Sequence, residues 1–324
     1  MKENEIRPKE IFEEYLRLSR LDAEAMDRSD LVDVQCVACG SEASREHLRK
    51  NDFQYHLCDE CGSLYCNPRP SEAALDKLYE NSESARFWAT RFFPAVAEAR
   101  REKLFRPKAE QVKALCDSAG LTIETICDVG AGYGIFLEEL AKVFPGVKLY
   151  GVEPSPELSE RCREAGIETF EGMAEDSGEW AGRFDLVISS EVIEHVFTPR
   201  RFVEAVARLV RPGGHMLLTG LGYEGFDILT LQEKSNSIFP PHHINFISIA
   251  GFERLFTACG LTDVAVHTPG KLDVDIVRNS GQGGEFFRVL AERGEEAIAD
   301  LQALLVKHKL SSHIWALAKK PEEG

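Results

Sequence analysis

Four cysteines fall in two knuckles of the same spacing, Cys36-Val-Ala-Cys39-Gly40 and Cys58-Asp-Glu-Cys61-Gly62, with 18 residues between Cys39 and Cys58. Each knuckle turns tightly enough to aim two thiolates at one ion, and its glycine relieves the turn. Cys36, Cys39, Cys58 and Cys61 therefore suit a tetrahedral sulfur site. Zinc is the expected metal, although iron in a rubredoxin-like site uses similar knuckles. Four thiolates leave no coordination position open, so the expected role is structural, with metal binding adding folding free energy to a segment poor in apolar residues. Cys66 reads as a core residue, and Cys116, Cys127, Cys162 and Cys259 as small buried hydrophobes.

A second pattern lies at Ile126–Gly134, Ile-Cys-Asp-Val-Gly-Ala-Gly-Tyr-Gly. Gly130, Gly132 and Gly134 allow tight turning and close approach of a ligand to the backbone. A strand, a glycine loop and a helix in series bind a nucleoside-bearing cofactor at the carboxyl end of a sheet. Asp128, before the first glycine, would repel a dinucleotide pyrophosphate but suits the amine of a cationic, phosphate-free cofactor. Glu153, 25 residues after Asp128, is placed to accept hydrogen bonds from ribose hydroxyls, or else is a solvated strand end. With Ile135 after Gly134 the spacing is GxGxG, not GxGxxG.

Groups able to move a proton near neutral pH are histidines. His195 follows Glu194 in Ser-Ser-Glu-Val-Ile-Glu-His-Val, with Glu191 where that strand opens toward cofactor and acceptor. Glu194 either orients His195 or faces solvent. His242 and His243 lie in Pro-Pro-His-His-Ile-Asn-Phe and read as a general base or acceptor-binding group, or as fixing their loop through backbone hydrogen bonds. A metal site on that pair lacks a third ligand spaced with it. Phe87, Trp88, Phe92 and Phe93, with Tyr79, form either a lid or ordinary packing. The run Arg100, Arg101, Lys103, Arg106 and Lys108 reads first as the solvated face of a helix.

The elements that must position these groups follow from periodicity. Residues 8–28 read as an amphipathic helix, and 31–70 as a cysteine- and glycine-rich segment without helical period. A helix begins after the cap Ser71, and another covers 94–119, closing at Gly120. Strands are expected at 125–129, 148–152, 168–170, 184–189, 215–219, 261–267 and 313–318, alternating with helices at 135–143, 156–165, 199–210, 248–259 and 285–308. That alternation is the mark of an α/β domain with a parallel sheet. Arg211-Pro212-Gly213-Gly214 reads as a tight turn, 220–247 as an irregular pocket wall or lid, and the stretch before 283 as a loop. The resulting division is an N-terminal helix (1–30), a four-cysteine module (31–70), a helical lid or linker (71–119) and a cofactor-binding domain (120–324).

Composition narrows the function. With 54 acidic against 38 basic side chains, the net charge of -16 disfavours nucleic acid and anionic lipid as partners. The four-cysteine segment, with six acidic and four basic residues, reads better as a spacer, dimerisation element or pocket wall than as an RNA reader. No stretch approaches the roughly 18 apolar residues of a membrane span, and the charged start lacks a secretory signal, so a cytoplasmic location is expected.

Taken in order, Asp128–Gly134, Tyr150–Ser155, Glu171–Asp176, Phe184–Val196 and Leu209–Thr219 resemble class I S-adenosylmethionine-dependent methyltransferases. The likeness is to the group related to ubiquinone and menaquinone biosynthesis. Residues 7–18, the paired knuckles, Cys66–Pro70, Pro240–Ser248 and Thr268–Val277 extend it to bacterial methyltransferases with an N-terminal zinc-binding segment. The resemblance implies a Rossmann-like class I fold with a small zinc module and a helical lid. It implies S-adenosylmethionine as cofactor, with Asp128, Gly130, Gly132 and Gly134 along its methionine and ribose, Glu153 on the ribose, Pro154 near the adenine, and Met173 and Ala174 bordering the ring. Many relatives carry an acidic residue near 173; with methionine there, backbone contacts or Glu175 take its place. The implied acceptor is a small molecule, a sugar or sugar nucleotide among the choices, and His242, His243 or His195 its base. A protein or nucleic-acid methyltransferase, a non-catalytic cofactor-binding scaffold and a dehydrogenase remain as alternatives.

Overall fold

In the computed structural model, which describes residues 2–322, the alternation after residue 120 becomes one seven-stranded sheet. Its strands are β1 Thr125–Val129, β2 Lys148–Glu153, β3 Glu168–Glu171, β4 Phe184–Ser190, β5 Val210–Leu221, β6 Thr262–His267 and β7 His313–Lys319. The spatial order is β6-β7-β5-β4-β1-β2-β3. β7 runs antiparallel to both neighbours, and the pairs from β5 to β3 are parallel. Parallel pairs need crossovers, supplied by helices Ile135–Val143, Pro156–Glu164 and Pro199–Leu209. β1 and β4 are buried almost throughout because both sheet faces are covered. The chain leaves β1 toward one edge and β4 toward the other, so a crevice opens between their carboxyl ends, where this kind of sheet binds ligands.

The four-cysteine segment folds as an antiparallel sheet of Ser44–Lys50, Phe53–Cys58 and Leu64–Cys66. Its first hairpin turns at Asn51 and Asp52, with φ of 47° and 60°, the left-handed pair that a two-residue turn requires. A fourth strand, Asn245–Phe246, comes from the histidine-bearing stretch and pairs with Tyr65 and Leu64. Phe53, Tyr55, Leu64 and Cys66 share one core with Leu75, Tyr223, Ile244 and Phe246. Cysteine segment and pocket wall are thus packed as one unit.

Between residues 83 and 118 the chain is helical with two π-helical turns, Trp88–Phe92 and Arg101–Phe105. Each inserts an extra residue and rotates the faces that follow. The helix Lys9–Ala25 lays Phe12 and Tyr15 against Phe92, Val96 and Phe239. No helix of the described residues is long and apolar enough to cross a membrane.

Four expectations change. The Arg211–Gly214 turn is an irregularity inside β5, between Val210 and His215, where Gly213 takes a φ of 73°. The loop before 283 contains the helix Asp273–Ser280, and the long helix expected at 285–308 is two, Gly284–Glu292 and Glu295–Lys307. Gly294 at φ 105° parts them, a backbone state no helix contains. The stretch 220–247 also holds a short helix, Phe226–Leu231.

Candidate active site

At the carboxyl end of β1 the glycine loop turns through positive φ at Gly130, Gly132 and Gly134. A Cβ at Gly130 would stand 2.7 Å from Val192 Cγ2, so only glycine lets the loop pass the β4 turn. Glu153 ends β2, and its two oxygens accept from the backbone amides of Gly132 (2.8 Å) and Ser155 (3.0 Å). Burial raises its pKa while these amides pull it back. Asp128 is 2% exposed, and its Oδ1 has no partner among the described residues. Burial pushes its pKa up to about 7. Pro154 and Met173 are exposed and Ala174 is buried at the neighbouring rim. The lid reaches this loop through Phe93, stacked on Tyr133 at 4.3 Å, and through the Tyr133 hydroxyl, which donates to Ala89 O.

Beside the groove lies a cavity of about 610 Å³. One wall is a helical face of Arg100, Lys103, Leu104, Pro107, Lys108 and Gln111. Helical spacing sorts the basic run by direction. Arg101 and Arg106 pair with Glu139 on another face, whereas Arg100, Lys103 and Lys108 line the cavity with Arg7 and Lys271. The solvated-face reading therefore holds for only part of the run. Lys108 Nζ donates to Thr219 Oγ1 at 2.7 Å and reaches Glu191 Oε1 at 3.4 Å. Glu191, at φ 57°, is thus fixed between cofactor loop and cavity. Burial opposes its charge, but His313, Lys108 and the Thr219 hydroxyl bring its pKa down to about 2. Arg100 Nε is buried without a polar partner, its guanidinium 5.6 Å from the Trp88 ring.

The histidines are positioned by a clasp. Ile244 N and Asn245 N donate to Glu194 O, while Asn245 Nδ2 donates to Ile193 O (3.0 Å) and Val196 O (2.8 Å). Arg69, fully buried, ties the cysteine segment to both loops through Cys66 O, Phe197 O and Ile244 O. His195 and His243 stand ring to ring at 4.7 Å, and Glu194 lies beside them. His242 is buried against Tyr15, Tyr79 and Phe239, with Nε2 2.8 Å from Ser84 Oγ. Burial lowers all three imidazoles, His195 to about 4, His242 to about 3 and His243 well below its ordinary value. Burial and the nearby Glu191 charge raise Glu194. Glu194, His195 and His243 bring ligand atoms within 4.8 Å of one another, while His242 stays outside this group, so the adjacent pair 242–243 does not itself gain a third ligand.

Cys36, Cys39, Cys58 and Cys61 converge, all sulfurs within 4.8 Å of one another. Cys36 and Cys61 sulfurs are 3.5 Å apart, Cys39 and Cys58 3.6 Å, against about 3.8 Å around tetrahedral zinc with bonds of about 2.3 Å. Gly40 and Gly62, at φ 74° and 75°, let their amides return to Cys36 O and Cys58 O. The donor set fits a structural zinc, which these four thiolates would hold.

Sequence reasoning did not list Arg7, Arg100, Lys108, Lys271, Asp273 or His313 as site residues, yet all line the cavity. Only the basic run carried a signal, the i, i+3, i+4 spacing of Arg100, Lys103 and Leu104.

A family model described as "Methyltransferase domain" matches residues 85–266. A ubiquinone biosynthesis O-methyltransferase of Vibrio parahaemolyticus is 31% identical over 160 residues, 45% of this chain and 67% of that protein. One of Cronobacter sakazakii is 35% identical over 109 residues, 32% of this chain and 45% of that protein. The chain spans about half the length of most of these curated relatives. Among solved structures, the plantazolicin methyltransferase BamL, in complex with a triazolic desmethylPZN analog and SAH, superposes with a TM-score of 0.51 at 13% identity. The match covers 76% of this chain and 94% of that one, and speaks for the fold. With more than half of its length matched, the chain belongs to the methyltransferase-domain family, the class I fold built around S-adenosylmethionine.

Proposed function

We propose that the chain transfers a methyl group from S-adenosylmethionine to an oxygen of an anionic small molecule, with a sugar nucleotide as the favoured acceptor class. The cofactor supplies an electrophilic methyl on a sulfonium. The chain's residues hold and orient the partners and exclude water. Asp128 would take the amine, Glu153 the ribose hydroxyls through its remaining lone pairs, and Pro154, Met173 and Ala174 the adenine. Glu191 and Val192 border both groove and cavity, so an acceptor in the cavity would meet the methyl group there. Bringing nucleophile and methyl carbon to about 3 Å removes much of the entropic barrier. The aromatic lid of Tyr15, Trp88 and Phe239 supports exclusion of water.

The observation that carries the acceptor class is the cationic lining. Arg7, Arg100, Lys103, Lys108 and Lys271 face one cavity together with Glu191, Glu194 and Asp273. Arg7, Lys103 and Lys108 are offset by Glu3, Glu5 and Glu191, which leaves Arg100 and Lys271 without an ion-pair partner among the described residues. Arg100 keeps a buried Nε without a protein partner, and a phosphate or carboxylate satisfies such a group well. O-methylation by the curated relatives supports an oxygen acceptor. The test is transfer of labelled methyl to a panel of sugar nucleotides, sugar phosphates and neutral sugars. Methylation confined to anionic members, with KM raised at least tenfold in Arg100→Met and cofactor affinity unchanged, is expected. Equal use of neutral members would overturn the acceptor class.

A further inference from the structure

The cavity contains a second cluster of metal-ligating atoms, away from the cysteines. Glu194, His195 and His243 each offer one ligand atom, and these lie within 4.8 Å of one another. Around an ion with bonds of about 2.0–2.2 Å, ligand atoms stand about 3–4 Å apart, so side-chain shifts below about 1 Å close the cluster. All three residues line the cavity.

The hydrogen bonds fix both imidazoles in the form a metal needs. His195 Nδ1 lies 3.0 Å from His242 O, and His243 Nδ1 lies 2.7 Å from Ser237 O. A carbonyl oxygen can only accept, so Nδ1 carries the proton in each ring. At His195 the Tyr79 oxygen, 2.9 Å from Nδ1, shares that proton while its own hydroxyl donates to His242 O at 3.3 Å. In both rings Nε2 is left with the lone pair. Metal-binding histidines are held in this way by the nitrogen that does not bind. Glu194 is 1% exposed, and its Oε2 has no partner among the described residues. Its place exists because residue 220 is glycine, where a Cβ would come within 2.9 Å of that oxygen. A buried carboxyl oxygen without a donor is costly, and a cation shared with two imidazole lone pairs satisfies it. Glu191 and its partner Lys108 border the cluster and offset each other, leaving the Glu194 carboxylate for the ion.

We propose that Glu194, His195 and His243 bind one first-row divalent metal ion, a two-histidine, one-carboxylate site whose remaining positions open to the acceptor cavity. The site itself stands on this geometry; its part in catalysis rests on the methyl transfer proposed above. There the ion holds an acceptor hydroxyl and lowers its pKa. The O–H bond breaks and the proton leaves to solvent. The oxygen then bonds to the methyl carbon as the sulfur–methyl bond breaks, and the electron pair stays on sulfur as a neutral thioether.

The test uses full-length, zinc-replete protein titrated with Co²⁺ alone and followed by visible absorption. One Co²⁺ per chain is expected, giving ligand-field bands without the thiolate charge-transfer band that exchange into the cysteine site would produce. His243→Gln and Glu194→Gln should each weaken that binding at least about tenfold, with zinc content and melting behaviour retained as controls of folding. Absence of stoichiometric Co²⁺ from the wild-type protein, a signal carrying thiolate charge transfer, or a signal that survives in both variants overturns the site. Parallel titration with S-adenosylhomocysteine separates the two proposals. Co²⁺ uptake without it leaves the metal site standing and removes methyl transfer, and the converse removes only the metal.

Discussion

Replacing Asp128 by asparagine should stabilise the free protein in a pH-dependent way while removing its grip on the cofactor. Burial raises the folded-state pKa of Asp128 to about 7, whereas the unfolded chain titrates near 3.9. Between these values the native state binds the extra proton, so stability falls as pH rises from about 4 to about 7. At pH 8 the full penalty applies, about 3 units at 1.36 kcal/mol each, or about 4 kcal/mol. At pH 5 the native carboxyl is mostly protonated and the penalty is about 1.5 kcal/mol. Asparagine carries no charge at either pH, so its advantage over aspartate should grow by about 2.5 kcal/mol between pH 5 and 8. For a domain of this size that is roughly 5–10 °C in Tm. The assay is thermal unfolding of zinc-replete wild type and Asp128→Asn at both pH values, where instability of the cysteine site in acid cancels in the difference. Wild-type affinity for S-adenosylmethionine should rise toward pH 7 as the carboxylate forms, and the variant should lose both the affinity and its slope. A Tm difference that is the same at pH 5 and 8 would refute the placement of a buried, unpartnered carboxyl at 128.

Three other perturbations test other parts of the account. Cys39→Ser should lower zinc content by one per chain and Tm by several degrees, and a variant with full zinc by atomic emission would contradict four-thiolate ligation. Glu153→Ala should weaken cofactor binding at least tenfold in calorimetry with the fold kept, since the Gly132 and Ser155 amides can turn to water; unchanged affinity would remove Glu153 from the ribose. Arg69→Met removes the side-chain donor from Cys66 O, Phe197 O and Ile244 O; Ile244 O keeps the Cys66 amide, so the loss falls on the other two carbonyls, at about 1–3 kcal/mol each. It should therefore cost several kcal/mol in denaturant unfolding, and a loss below about 1 kcal/mol would mean the clasp adds nothing to stability.

The parts of the molecule legible in the sequence were those encoded locally. β1, the glycine loop and the helix Ile135–Val143 are contiguous, so a short strand and three glycines announce them together. The cysteine knuckles carry their own turn chemistry at Gly40 and Gly62. The cavity was not legible, because Arg7, Arg100, Glu191, His243, Lys271 and His313 meet only after the sheet has formed. The 3.6-residue spacing already sets Arg100, Lys103 and Lys108 on one face and Arg101 and Arg106 off it; the sequence does not show that the first face meets a cavity instead of solvent. The short strand Asn245–Phe246 gave no periodic signal, yet it completes the cysteine segment's sheet and carries the histidines to Glu194. Gly294 was visible, but a single glycine within a good helical pattern does not declare a φ of 105°.

The most direct measurement is isothermal titration of metal-replete protein with S-adenosylmethionine, S-adenosylhomocysteine and NAD in parallel. The account predicts saturable binding of both sulfur compounds at one per chain and none of NAD. Binding of NAD, or of none of the three, would contradict a groove built from Asp128, the three glycines and Glu153 around a sulfonium cofactor.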